Sequence, residues 1–358
     1  MSTTSPKDPP RSLASDNHSG VHPQILESLL SINKDHCHSY EGDPWSLKLR
    51  DTIKNTFGPQ FHSYLVFNGS AANVLALNHF VKPWNSVLCS DQAHLHLDEC
   101  GAPQKHIGCK LLLAPTHQGK ISAQDIRQFF IRRGDQHYSQ LQAVSLTQPT
   151  ELGTVYSLKE IQDISAVCKE LGLFLHIDGA RLANAVVHLN CTFKDIASHA
   201  DAISLGGTKN GLLGCEMVLI NSKTSPQEAH AFKFERKQSL QLPSKARFLS
   251  QQFLTYFENH LWTEIAKHST ERAQDLSLRL TSLGIKPLYP VESNAVFCAL
   301  QKKWIKPLRE KVFFYVWEEE SPSSPEECVV RLMTSFDTTE QDLIDLCTEI
   351  ARLQKRDL

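Results

Sequence analysis

Three short segments carry side chains whose types and spacing could do chemistry. In His176-Ile177-Asp178-Gly179-Ala180-Arg181, Asp178 follows directly on the run Leu173-Phe174-Leu175-His176-Ile177. A carboxylate at the end of a buried strand is costly unless it meets a positive partner. Ligand sites in open α/β sheets collect at the carboxyl ends of strands. Capping the next helix is the plainer role for such an Asp. In Ser204-Leu205-Gly206-Gly207-Thr208-Lys209-Asn210-Gly211, Lys209 is surrounded by three glycines, which let another group approach the backbone. Alone it reads as a solvated loop lysine, and the phosphate-loop pattern GxxxxGK[ST] is absent. The turn Asn68-Gly69-Ser70-Ala71 opens the helix former Ala71 to Leu77. Free N–H groups at such a helix start, with the helix dipole behind them, favour an anion.

Each signal is weak by itself, but together they specify one chemistry. An anion cup comes early, an Asp ends a middle strand, and a Lys follows the next strand 31 residues later (209 − 178). Pyridoxal 5′-phosphate (PLP) uses these three groups. The cup takes its phosphate, Lys209 forms a Schiff base with its aldehyde, and Asp178 keeps its ring nitrogen protonated. The ring can then accept electrons from a bond broken at the substrate α-carbon.

These groups have to be positioned by alternating strands and helices. Apolar runs at Tyr64 to Phe67, Ser86 to Cys89, Lys110 to Leu113, Ala143 to Leu146, Leu173 to Ile177, Ala202 to Leu205 and Glu216 to Ile220 read as strands. Helical patterns fall between them. His22 to Ile32 is one, and Ser157 to Leu171 is another, with Ser157 and Glu160 spaced as a capping box and Gly172 as its stop. The expected fold is α/β, a mainly parallel sheet flanked by helices. One long helix is expected from Phe248 to Ser282, then strands Ala295 to Leu300 and Val329 to Thr334 around an acidic, Ser- and Pro-rich loop. The expected organisation is a disordered tail 1–11, a large PLP-binding domain 12–247 and a smaller C-terminal α+β domain 248–358.

Composition narrows the class. The charge is −2, from 37 basic and 39 acidic residues, which gives no bulk drive toward nucleic acid or anionic lipid. No run approaches the roughly 18 apolar residues of a membrane span, and the polar start lacks the apolar core of a signal peptide. Ten cysteines are scattered without CxxC pairs, which suits free thiols in the cytoplasm better than disulfides or a metal site.

The chain resembles the low-specificity L-threonine aldolases, in the β-eliminating lyase family of fold-type-I PLP enzymes. The likeness runs from Ser15-Asp16-Asn17 to Arg331-Leu332-Met333-Thr334-Ser335-Phe336. It is most specific at Asp178-Gly179-Ala180-Arg181-Leu182 and Gly207-Thr208-Lys209-Asn210-Gly211. The resemblance implies a seven-stranded-type sheet and cleavage of the Cα–Cβ bond of L-threonine, L-allo-threonine or a related β-hydroxy-α-amino acid, giving glycine and an aldehyde. It implies Lys209, Asp178 and His94 as catalytic groups, with His94 stacked on the cofactor ring. Gly69, Ser70, Ala71, His94, Asp178, Arg181, Thr208 and Lys209 would bind the cofactor, and Ser15, Arg181 and Arg331 the substrate carboxylate. The base for the β-hydroxyl proton is His94 or a bound water. Lys237 and Lys245 approach a phosphate in related enzymes, and a homodimer or homotetramer with shared active sites is expected. One departure is Tyr40-Glu41-Gly42-Asp43, where a glutamate interrupts the usual tyrosine–glycine order, which bears on substrate fit. The alternatives are another β-eliminating lyase, an aminotransferase or a cysteine desulfurase on the same fold, or a catalytically silent binding module.

Overall fold

The computed structural model describes residues 11–223 and 226–357, and separates them into two compact units. The larger unit is Val21–Glu264. Its strands are β1 (Phe61–Val66), β2 (Asn85–Ser90), β3 (Lys110–Ala114), β4 (Gln140–Thr147), β5 (Phe174–Gly179), β6 (Ala202–Leu205) and β7 (Glu216–Asn221). They form one sheet in the order β1-β7-β6-β5-β4-β2-β3, in which β7 is antiparallel to both its neighbours and the rest are parallel. Every residue of β2, β6 and β7 is buried, the mark of a sheet covered on both faces. The helix Leu158–Leu171 starts on a complete Ser157/Glu160 capping box and stops at Gly172, in the left-handed conformation. Parallel pairing puts the ends of β4, β5 and β6 side by side, with Thr147 opposite Asp178 and Asp178 opposite Ser204.

The smaller unit holds the described residues through Gly20 and those from Ile265 onward. Its sheet is antiparallel, with β10 (Glu327–Met333) between β8 (Ala295–Gln301) and β9 (Tyr315–Glu318). Leu276, Leu280, Val330, Leu346 and Ile350 belong to its core. β9 was not expected from the sequence. It is an edge strand with no fully buried residue, so it lacks the alternation that marks a half-buried strand.

The expected single helix from Phe248 to Ser282 is instead two, Arg247–Phe257 and Leu261–Ser282, joined by a 3-10 turn at Glu258–His260. Glu258 is extended and His260 has φ +59°, so the helical path cannot continue. Phe257 meanwhile packs against Phe57 and Phe193. Residues 1–10 of the expected tail lie outside the described residues, whereas Arg11 is held by Asp342 and accepts from the Phe313 N–H. Among the described residues no helix is long and apolar enough to cross a membrane.

Candidate active site

Asp178 sits at the end of β5, buried, and does not cap the next helix, whose N-cap is Arg181. Its Oδ1 accepts from the Ala180 N–H at 3.0 Å and its Oδ2 from Asn73 Nδ2 at 2.8 Å. Lys209 lies half-buried in the 3-10 turn Thr208–Asn210, directly after β6. That turn is tied to the segment following Asp178. Gly206 N–H donates to Gly179 O at 3.0 Å, and Asn210 Nδ2 donates to Ala180 O at 3.0 Å. A Cβ on Gly206 would lie 2.1 Å from Ala180 O, so only glycine permits this approach.

The anion cup joins the same neighbourhood through Asn73, in the first turns of the helix Gly69–Asn78. Asn68 caps this helix by accepting from the Ala71 N–H at 2.9 Å. The Ala71 N–H is therefore engaged, and of the three residues expected in the cup, Gly69 and Ser70 are left with N–H groups that the first helical turn does not use. A Cβ on Gly69 would meet no atom within 4 Å, so the start of this helix is open.

His94 begins the short helix His94–Leu97. Its Nδ1 lies 3.0 Å from Glu99 Oε1, and its backbone N–H donates to Glu151 Oε1 at 2.8 Å. The hydrogen bond to Glu99 holds its imidazole above the usual histidine range against the cost of burial. The charge of Asp178 raises it further and that of Lys209 lowers it, so all three groups share one electrostatic neighbourhood. Glu216, buried, accepts from the N–H groups of Gly207 (2.7 Å) and Thr208 (3.4 Å). Burial pushes its carboxyl up, while the Thr208 hydrogen bonds and the Lys209 charge offset this. Arg181 lies three residues past Asp178 on the same connection.

In the smaller unit, Ser15 caps the 3-10 turn Asp16–His18 by accepting from the Asn17 N–H at 3.2 Å. Arg331, on β10, donates from Nη2 to Ala14 O at 3.2 Å and stacks over Trp317 at 4.7 Å. It therefore lies against the backbone next to Ser15.

Asn73, Glu99 and Glu216 were not singled out by sequence reasoning. Each leaves a faint signal, a polar residue inside or beside an apolar run. Glu41, the departure noted above, is buried with φ +66°, a strained conformation for a residue with a side chain. Arg236 grips its carboxylate with both Nη atoms, and Arg50 Nη2 adds a contact at 3.4 Å. Glu41 and Arg236 line a cavity of about 780 Å³ with Tyr40, Arg50, Tyr64 and Lys237, separate from Lys209 and Asp178.

The side chains in the larger unit fit PLP. Donors at an open helix start suit its phosphate, Lys209 suits its aldehyde, and a buried carboxylate with spare lone pairs suits its ring nitrogen.

Comparison with known proteins agrees. The beta-eliminating lyase model matches residues 12–303. A low specificity L-threonine aldolase of Pseudomonas aeruginosa is 36% identical over 96% of this chain and 98% of its own. The Saccharomyces cerevisiae low specificity L-threonine aldolase is 26% identical over 75% of this chain and 68% of its own. Among solved structures, a Leishmania major threonine aldolase superposes with a TM-score of 0.90 at 30% identity, covering 96% of this chain and 99% of that one.

Proposed function

The chain belongs to the beta-eliminating lyase family, and on that premise we propose that it is a PLP-dependent aldehyde-lyase of the threonine aldolase type. It cleaves the Cα–Cβ bond of L-threonine, L-allo-threonine or a related β-hydroxy-α-amino acid to glycine and an aldehyde. PLP supplies an electron-accepting ring for the pair released when that bond breaks. The observation that carries the reading is the convergence of the Lys209 turn and Asn73 on Asp178 and the segment following it.

The residues divide the work. Lys209 is assigned as the amine that holds the cofactor and gives way to the substrate amine. Asp178 is assigned to the ring nitrogen, where its buried negative charge keeps a proton in place. Gly69 and Ser70 would hold the phosphate with backbone N–H groups, and Thr208 is assigned to the cofactor as well. His94 is assigned to the ring face, and the base for the β-hydroxyl proton would be its second ring nitrogen or a bound water. Arg331, Arg181 and Ser15 are assigned to the substrate carboxylate, for which guanidinium provides two parallel donors. Fixing the carboxylate would orient the substrate on the bound cofactor, so that the Cα–Cβ bond rather than the bond to the α-hydrogen or the carboxylate is the one broken. We further propose a cytoplasmic protein, in line with ten free cysteines. We also propose a homo-oligomer with shared active sites, which sedimentation equilibrium tests. The domain division at residue 247 likewise stands as a proposal.

The direct test is incubation of the PLP-loaded protein with L-threonine. Acetaldehyde and glycine are expected in equal amounts without an added keto acid. Ammonia and a keto acid as products, or turnover only with a keto acid present, would replace the aldolase by an eliminating lyase or an aminotransferase.

A further inference from the structure

We propose that Asn73 and Glu99 are positioning residues that lock Asp178 and His94 into a single hydrogen-bonded unit. This inference rests on the cofactor-facing roles assigned to those two residues above. Asn73 lies in a stretch of helix whose neighbours Ala72, Val74 and Leu75 are buried and apolar, so its amide hydrogens need partners close by, although its Oδ1 has none. Its Nδ2 donates to Glu99 Oε1 at 3.0 Å and to Asp178 Oδ2 at 2.8 Å, which uses both amide hydrogens. The reversed amide would aim Oδ1 at two carboxylates, so those partners fix its orientation.

Glu99 passes the constraint on. Its side chain is fully enclosed, and the Oε1 that accepts from Asn73 also meets His94 Nδ1 at 3.0 Å. A carboxylate only accepts, so Nδ1 carries the proton and Nε2 remains as the ring atom able to gain or lose one. The backbone of His94 is anchored separately by Glu151 Oε1, which Thr147 Oγ1 holds in turn at 2.8 Å. Three charged groups act on the imidazole, Glu99 on the chain following it, Asp178 on β5 and Lys209 after β6, while Glu151 after β4 holds only the backbone N–H of His94. Plane and tautomer of the ring are thereby set before any ligand arrives, which is preorganisation. Asp178 and His94, assigned to the ring nitrogen and the ring face, cannot move independently.

The apoprotein gives the first readout. Imidazole ¹H–¹⁵N correlation spectra should show His94 as the Nδ1–H tautomer. Glu99→Gln, which keeps the shape and removes the charge, should lower the pH at which His94 titrates. An Nε2–H tautomer in the wild type, or an unmoved titration in Glu99→Gln, overturns the role of Glu99. The second readout is PLP affinity. Asn73→Leu should weaken it about tenfold, the loss expected for a hydrogen bond to a charged group. In that variant kcat should fall while KM for the amino acid stays within about twofold. An unchanged PLP affinity overturns the role of Asn73. Should Asn73→Leu show no cooperative melt, Asn73→Ser is measured in its place on the same criterion. Asp178→Asn keeps the two readings apart. Unchanged PLP binding there would sink the cofactor assignment, while the apoprotein spectra would still decide the network.

Discussion

Lys209 has a polar environment built for its charge. The buried carboxylate of Glu216 holds the consecutive N–H groups of Gly207 and Thr208 at the start of the turn, and the Lys209 cation lowers the cost of keeping that carboxylate ionised. Lys209→Ala should abolish the absorbance of bound PLP near the visible edge and lower lyase activity by at least about three orders of magnitude. Retained absorbance would remove Lys209 from its role. Arg331 tests the substrate side. Its guanidinium is held by Ala14 O and the face of Trp317. Arg331→Ala should raise KM for amino acids by about ten- to a hundredfold, the loss of a bidentate carboxylate contact, and leave PLP affinity unchanged. Steady-state kinetics beside a PLP titration separates the two effects, and an unaltered KM would exclude Arg331.

At the scale of elements, the site depends on how closely the β6 turn approaches the β5 turn. A Cβ at Gly207 would lie 2.3 Å from Cys215 O, as unworkable as one at Gly206. Gly206→Ala should therefore push the Lys209 turn away from Ala180, lowering stability by about 1–3 kcal/mol as overpacking does, and weaken PLP binding. A melt and PLP titration matching the wild type would show that the approach is not needed. This also explains what the sequence could disclose. Asp178, Lys209 and Gly69-Ser70 were readable because each stands in a local strand-to-turn pattern. The seven strands of the large sheet and the Ser157 capping box were readable for the same reason. Asn73 was not, since its partner Asp178 lies 105 residues away and nothing local announces the bond. The break at Glu258 was missed because helical spacing persists on both sides of it, and only packing of Phe257 against Phe57 and Phe193 turns the chain.

The stability of the whole molecule should carry the mark of one buried histidine beneath the site. His176 spans three adjacent strands, with Nδ1 2.9 Å from Ser145 Oγ on β4 and Nε2 2.9 Å from Ser204 Oγ on β6. Burial lowers its pKa from 6.5 to about 4, with the Asp178 charge opposing. The unfolded chain therefore takes up a proton on this side chain at a pH where the native protein does not. Its contribution is complete above about pH 6.5 and is lost as pH falls toward about 4, a change on the order of 3 kcal/mol. His22, His62 and His199 are shifted the same way by burial, whereas Glu151 and Glu216, raised by burial, act in the opposite direction. The slope of the wild type alone thus mixes several groups, and a variant has to isolate one. His176→Asn keeps a polar side chain for a serine partner and removes the titration. Urea unfolding of the apoprotein at pH 7.5 and pH 5 should show a smaller loss of stability in the variant than in the wild type. Equal losses would mean that His176 accepts its proton in the folded sheet, and that the two serines do not hold it neutral.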